Sequence, residues 1–293
     1  VYGGDRRHAN PLVAGTTVLT LNRDSATGLG GMLVNDWSSR AYASAPDGIL
    51  VIGPNGGTIA ATSNTTFTIQ QPFNLSSNAL TIGATDVLDR VMLPKLGTVN
   101  LSVNFGLSWA LPGSSITVIP GATLQNAYNA IPDDPDIIVN GTFLLGSTET
   151  IGSLSGSGLV NLQGNWLTVG RNNRASTFSG LLTNSVVSTV FTKIGTNRLD
   201  FTSSGHPYTG LFTVNNGILA LSGNGAMANP AGTVAYTLGS KGTLLLDNSV
   251  VNNRDRLAGV SSGITFQGGT FRFVGKNGEA SGESLGAAVF SSG

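Results

Sequence analysis

The densest cluster of groups able to do chemistry in this chain is Asp133-Asp134-Pro135-Asp136. Three carboxylates so close together can ligate calcium through oxygen, or act as acid and base on a polysaccharide. Work on an acidic sugar also needs a basic partner, and no Lys or Arg lies near in sequence. Distant cations such as Arg171 or Arg174 would have to share the groove. Pro132 and Pro135 bracket the acids in a loop, and a solvated turn accounts for them as simply. Asp133, Asp134 and Asp136 are therefore the calcium candidates. No catalytic residue and no organic cofactor is assigned.

The remaining chemistry-bearing residues are sparse. His206 lies in Gly205-His206-Pro207-Tyr208 and reads as a turn histidine, while His8 sits in a polar N-terminal stretch and reads as exposed. Two histidines so far apart have no metal-ligand spacing. Ser155-Gly156-Ser157-Gly158 lacks the strand-to-helix context of a nucleophile elbow. Gly28-Leu29-Gly30-Gly31 and Gly53-Pro54-Asn55-Gly56-Gly57 precede no helix, so neither is a phosphate loop. Asn64, Asn74, Asn100 and Asn140 each open a glycosylation triplet, a chance outcome in a chain this rich in Asn, Ser and Thr. Trp37, Trp109 and Trp166 could stack on sugars. Trp109 is in phase with Val99–Leu107 and is expected in the core or at its rim. Trp166 is out of phase with Leu167 and Val169 and is the best candidate for an exposed aromatic.

The elements that would position these residues are strands. From Thr98 to Trp109 every odd residue is apolar, and the even ones from 100 to 108 are small or polar. A period of two gives one core face and one water face. Leu101, Val103, Phe105 and Leu107 should point inward, with Ser102 and Asn104 outward. Shorter alternating runs recur along the chain between turn signals such as Gly56-Gly57, Asn140-Gly141, Asn216-Gly217 and Gly268-Gly269. Helical periodicity is nearly absent; Gln125–Ile131 offers one or two turns at most.

Composition agrees. Of 293 residues 10% are charged and 40% hydrophobic, with 41 Gly, no Cys and net charge +0. Charge is depleted more than two-fold against the roughly 25% of ordinary chains, yet the apolar content excludes disorder. Neutrality removes the electrostatic footprint of a nucleic-acid binder and the self-repulsion that opposes lateral association. Without Cys there are no disulfides or thiolate metal sites. No run of about 18 apolar residues suggests a membrane helix. No apolar h-region follows Val1–Arg7, so the chain reads as a mature or excised piece of something longer.

Gly217-Ile218-Leu219-Ala220-Leu221 recurs as Gly242-Thr243-Leu244-Leu245-Leu246 and Gly269-Thr270-Phe271-Arg272-Phe273. Self-similarity at such intervals predicts stacked coils that enclose a common core. The expected fold is all-β: a right-handed parallel β-helix or β-solenoid with few or no helices, the hand following from the general chirality of parallel crossovers.

Residues 142–293 carry phrases that point further. These are Glu149–Gly158 followed by Asn165–Gly170, Thr177-Phe178-Ser179-Gly180, Lys193–Phe201, Tyr208–Gly210 with Val214–Leu219, and Asn252–Leu257 before Ile264–Phe271. Together they resemble the autotransporter-associated β-strand repeat family, found in passenger regions of large exported bacterial proteins. Residues 1–141 share the style without the phrases, giving two stretches, 1–141 of less regular coils and 142–293 of repeat-like coils, continuous with each other. Glu283–Phe290 resembles the start of another repeat. The resemblance implies a structural or adhesive segment at the cell surface of a Gram-negative-type bacterium, building a fibre, layer or adhesin stalk, and not an enzyme. The partners it implies are further repeats or copies of itself, and surface glycans. Neither nucleic acid nor direct membrane insertion is expected. The competing reading is a carbohydrate-active or glycan-binding β-helix of the lyase or hydrolase type.

Overall fold

The computed structural model describes residues 18–26, 31–35, 39–42, 48–85, 94–103, 108–227, 234–257 and 262–291. Among them every regular element is a β-strand, and no helix is long and apolar enough to cross a membrane. The all-β class expected from the period-two pattern holds. The turn or two of helix at Gln125–Ile131 does not form. Thr123–Ala127 is a strand, and Tyr128 and Asn129 leave it with positive φ of 63° and 53°. The chain divides into two compact units, Val1–Glu149 and Thr150–Gly293.

In the first unit the strands from Val18–Leu21 to Thr98–Ser102 each pair in parallel with the strand three places further along, while Ser115–Val118 and Thr123–Ala127 pair with the strand two places on. Val18–Leu21, Ile49–Ile52, Phe73–Ser76 and Trp109–Ala110 make one sheet. Met32–Asn35, Gly57–Ala61, Ala79–Ile82, Ser115–Val118 and Asp136–Val139 make a second. Arg40–Tyr42, Thr66–Ile69, Thr98–Ser102, Thr123–Ala127 and Thr142–Leu145 make a third. Parallel neighbours need a crossover; up to Thr123–Ala127 each crossover contains a strand of each of the other two sheets, and the last two crossovers contain one strand each.

The registers turn the alternation of single strands into continuous columns. Leu80, Ile116 and Ile137 stack rung over rung, as do Ile82, Val118 and Val139. Phe67, Val99, Leu124 and Phe143 form another. All of these are buried. Outward positions stack likewise: Thr66, Thr98, Thr123 and Thr142 form a threonine column. Thr98–Ser102 shows the expected alternation, with Val99, Leu101 and Val103 buried and Asn100 and Ser102 half-buried. Asn104, Phe105 and Leu107 lie outside the described residues.

Trp109 departs from its expected place. It is 44% exposed. The strand that sets the phase ends at Ser102, and Trp109 opens a different strand, beside Asn74 in the first sheet. The phase of Val99 does not carry that far.

The second unit has the same parallel habit with longer strands. Val190–Lys193 and Arg198–Phe201 both pair with the 12-residue strand Leu211–Ser222, the first along its N-terminal part and the second along its C-terminal part. Leu211–Ser222 pairs in turn with Ala235–Asp247, which receives Gly263–Gln267 and Thr270–Val274. Trp166–Val169 precedes Val190–Lys193, Ser176–Phe178 precedes Arg198–Phe201, and Ala288–Phe290 follows Gly263–Gln267. The three copies of the Gly-x-Leu-x-Leu phrase lie on top of one another: Gly217 faces Gly242, Leu219 faces Leu244, and Leu244 faces Phe271. Glycine at 242 has a steric reason. A Cβ there would fall 1.8 Å from the Val214 carbonyl oxygen.

The core column Leu167, Phe191, Phe212, Tyr236, Ile264 carries this unit. Phe178, Phe201, His206 and Tyr208 pack beside it as a continuous aromatic cluster. On the outward side Thr168, Thr192, Thr213, Thr237 and Thr265 stack in unbroken register.

Candidate functional site

The acidic loop is divided by the fold. Asp136 begins the strand Asp136–Val139, next to Ser115 of Ser115–Val118. Asp133 and Asp134 precede it in the turn, half-buried, between the buried residues Pro132 and Pro135. Among the described residues no group of three or more His, Cys, Asp or Glu is placed to hold a metal. Arg171 and Arg174 belong to the other unit.

Several buried polar groups escaped the sequence reading, and each is tied to backbone. In the first unit, Asn126 occupies an inward position that its alternation reserves for an apolar side chain; it follows Ile69 and Leu101 in their column. Its Nδ2 donates to Glu149 Oε2 at 3.0 Å and to the Ser147 carbonyl at 3.1 Å, and its Oδ1 accepts from Gly146 N–H at 3.1 Å. Glu149 Oε2 also accepts the Ile131 N–H at 3.1 Å. Both side chains are fully buried. The pair closes the turn after Thr123–Ala127, where the positive-φ residues Tyr128 and Asn129 divert the chain.

In the second unit, Arg256 is fully buried. Its guanidinium donates to Asn248 Oδ1 and to the carbonyls of Gly223, Gly225, Asp247 and Val251. Glu283 accepts the N–H groups of Arg256 and Leu257 at 2.8 and 3.1 Å. Burial pushes the Arg256 guanidinium down and the Glu283 carboxyl up from their usual ranges. A planar five-donor group suits a junction of several carbonyls. Arg256 joins turns of successive rungs.

Lys193 is buried between Val169 and Val214 in its column. Its Nζ donates to the carbonyls of Ile194, Gly195 and Asn216 at 2.5, 3.0 and 3.5 Å. Burial lowers its pKa to about 8. The alternation Val190-Phe191-Thr192-Lys193 places it inward, and only the polarity of lysine argued against that position.

His206 lies in the connection between Arg198–Phe201 and Leu211–Ser222, with a single bridge to Met227. It is buried against Phe201, with ring centroids 5.1 Å apart. Nδ1 accepts the Leu182 N–H at 3.1 Å, so the neutral ring carries its proton on Nε2, which has no hydrogen-bond partner. Burial lowers its pKa to about 4. Tyr208 is buried beside it, its hydroxyl 3.0 Å from the Leu211 carbonyl.

At the surface, Arg198 grips Asp200 with two hydrogen bonds of 2.5 Å and reaches Asp247 at 3.4 Å. The Asp200 hydrogen bond holds the Arg198 guanidinium above its usual range. The Ser222 hydroxyl donates to Asp200 at 2.6 Å. This cluster is a cross-rung ion pair.

Trp166 and Phe290 are among the exposed apolar side chains. Trp166 is 55% exposed, as its phase implied. The terminal strand Ala288–Phe290 leaves Phe290 78% exposed, its ring stacked on Phe266 at 4.9 Å. Val214, Leu238, Phe266 and Phe290 form one column.

No family model, curated protein or solved structure matches this chain.

Proposed function

We propose that the chain is a segment of a right-handed parallel β-solenoid from an extracellular bacterial surface protein, with a structural or adhesive role. The observation that carries the reading is the register. Strands of the first unit pair with the one three places on, and two places on from Ser115–Val118 onward, and the three repeated Gly-x-Leu-x-Leu phrases lie in register on neighbouring strands in the second. The hand is the one parallel crossovers take almost without exception. The phrases shared with autotransporter-associated repeats support a passenger-type origin and an exported location. The buried ionisable groups bond to backbone, which is how a coil junction is held and not how a substrate is met.

Acidic polysaccharides incubated with the protein, with and without calcium, should release no new reducing ends and no unsaturated products. Release of either, lost on Asp134→Asn, overturns the structural reading. Exposure of Trp166 favours one second reading, a face that binds glycan by ring stacking. In that case Trp166→Ala abolishes retention on an insoluble glycan.

A further inference from the structure

The dipeptide Asn-Gly occurs at Asn55, Asn140, Asn216, Asn224 and Asn277. This pairing carries latent chemistry. The glycine nitrogen can close a small ring onto the asparagine side-chain carbon, and no Cβ shields it. Where its N–H is held decides whether it does so. At Asn55, Asn140 and Asn224 the following glycine donates to the carbonyl of another residue: Gly56 to Gly53 at 2.9 Å, Gly141 to Val118 at 3.0 Å and Gly225 to Ser222 at 2.8 Å. Those bonds aim the nitrogen away from the asparagine side chain.

Asn216 differs in three respects. The Gly217 N–H donates to the Oδ1 of Asn216 itself at 2.8 Å. The nitrogen therefore sits against the amide it would attack, as in a near-attack arrangement with reacting atoms about 3–3.5 Å apart. The ladder to Ala235–Asp247 shifts register between Val214 and Asn216, so the backbone is already irregular where the ring must close. The third respect is Lys193. Its buried Nζ lies 3.5 Å from the Asn216 carbonyl oxygen. That carbonyl belongs to the same peptide unit as the Gly217 nitrogen. A cation beside it stabilises the negative charge left on the peptide when the N–H is removed.

We propose that Asn216 is a self-modification site, at which the Gly217 nitrogen closes on the Asn216 side chain with Lys193 as the activating cation. Hydroxide from solvent takes the Gly217 proton; Asn216 is half-buried and follows the exposed Asn215. The nitrogen bonds to Cγ as the Cγ–Nδ2 bond breaks, and Nδ2 leaves as ammonia after taking a proton from water. Water then opens the cyclic imide at either carbonyl. Opening at Cγ gives aspartate. Opening at the backbone carbonyl gives an isoaspartyl link, with the main chain running through the side-chain carbon. The balance is one water consumed and one ammonia released. Lys193 faces the backbone carbonyl, so it directs water there and favours the isoaspartyl product, whose free carboxylate is formed from that same carbonyl.

Ageing the folded chain at neutral pH, followed by peptide mapping with mass spectrometry and an isoaspartate assay, tests this. Asn216 should convert ahead of Asn55, Asn140 and Asn224, mainly to isoaspartate. Asn277, in an exposed turn, is the internal standard for conversion driven by solvent alone. Lys193→Met should slow Asn216 several-fold and leave Asn277 unchanged. Urea midpoints confirm that the variant is folded, and in urea-unfolded chains the substitution should no longer affect Asn216. Conversion of Asn55, Asn140 or Asn224 before Asn216 overturns the proposal. An Asn216 still intact when Asn277 has converted completely overturns it as well. So does an Asn216 rate that is the same with and without Lys193→Met in the folded chain.

Discussion

Tyr236 lies flat on Phe212, with ring centroids 5.3 Å apart and planes inclined by 7°. The two residues are register partners in neighbouring strands, so the stack is imposed by the backbone ladder. Both rings are buried, and the Tyr236 hydroxyl has no hydrogen-bond partner. Burial drives its pKa far upward. The ring stabilises the unit while the hydroxyl opposes it.

Two substitutions separate these contributions. Phe212→Ala should destabilise the chain by about 3–5 kcal/mol, the cost of a large cavity in a packed core. Tyr236→Phe keeps the stack and removes an unpaired buried hydroxyl, so stability should hold or rise by about 1–3 kcal/mol. Urea denaturation measures both. A loss with Tyr236→Phe would mean that the hydroxyl is bonded in solution.

His206 should make the chain acid-sensitive. Its pKa in the folded chain is about 4 against an ordinary 6.5. Between those values the unfolded chain binds the extra proton and the folded chain does not. Stability is therefore complete above about pH 6.5 and falls as the pH drops toward 4, by up to about 1.4 kcal/mol per pH unit. Protonation also sets a cation against the Leu182 N–H that Nδ1 accepts. His206→Gln should flatten the slope of urea midpoint against pH in that window. A slope unchanged by the substitution assigns it to other groups.

Sequence alone made the strands legible because a rung is a local pattern. Leu80-Thr81-Ile82 and Ile116-Thr117-Val118 declare their inward faces within three residues, and the repeated glycine phrase declares which rungs stack. The buried polar residues were not legible for the same reason. Asn126, Lys193 and Arg256 are read locally as exposed, and what makes them tolerable comes from elsewhere: the Glu149 carboxylate, the Asn216 carbonyl and the Gly223 carbonyl. The burial of His206 was hidden likewise, since Pro207 announces a turn but says nothing of the Phe201 ring that covers it. Trp109 failed because alternation has no authority beyond the strand that carries it.

Lys193 should impose a second window of the same sign at alkaline pH. Its folded-state pKa of about 8 lies below the usual 10.5. Between these values the unfolded chain holds the proton that the folded chain has released, so stability should rise with pH from about 8 to 10.5. Lys193→Met fills the column between Val169 and Val214 without a charge and should abolish the rise. Thermal midpoints from pH 7 to 10.5 measure it. A wild-type midpoint that does not increase over this range contradicts the burial of the ammonium.

The last prediction concerns the first unit. Glu149 Oε2 serves both the Asn126 amide and the Ile131 N–H. Glu149→Ala strands two buried donors at once and should cost about 3 kcal/mol or more, because each orphaned group carries a penalty of about 1–3 kcal/mol. Glu149→Gln keeps an acceptor oxygen in place and should lose much less. Asn126→Leu restores the apolar column of Ile69 and Leu101, yet it removes the acceptor of Gly146 N–H and the partner of Glu149. Its cost should therefore approach that of Glu149→Ala. If the two changes act on one network, the double variant Glu149→Ala with Asn126→Leu should lose clearly less than the sum of the singles. Urea midpoints of the four proteins decide it. Strict additivity would show that the two side chains act independently and that the turn at Tyr128 and Asn129 is held by other contacts.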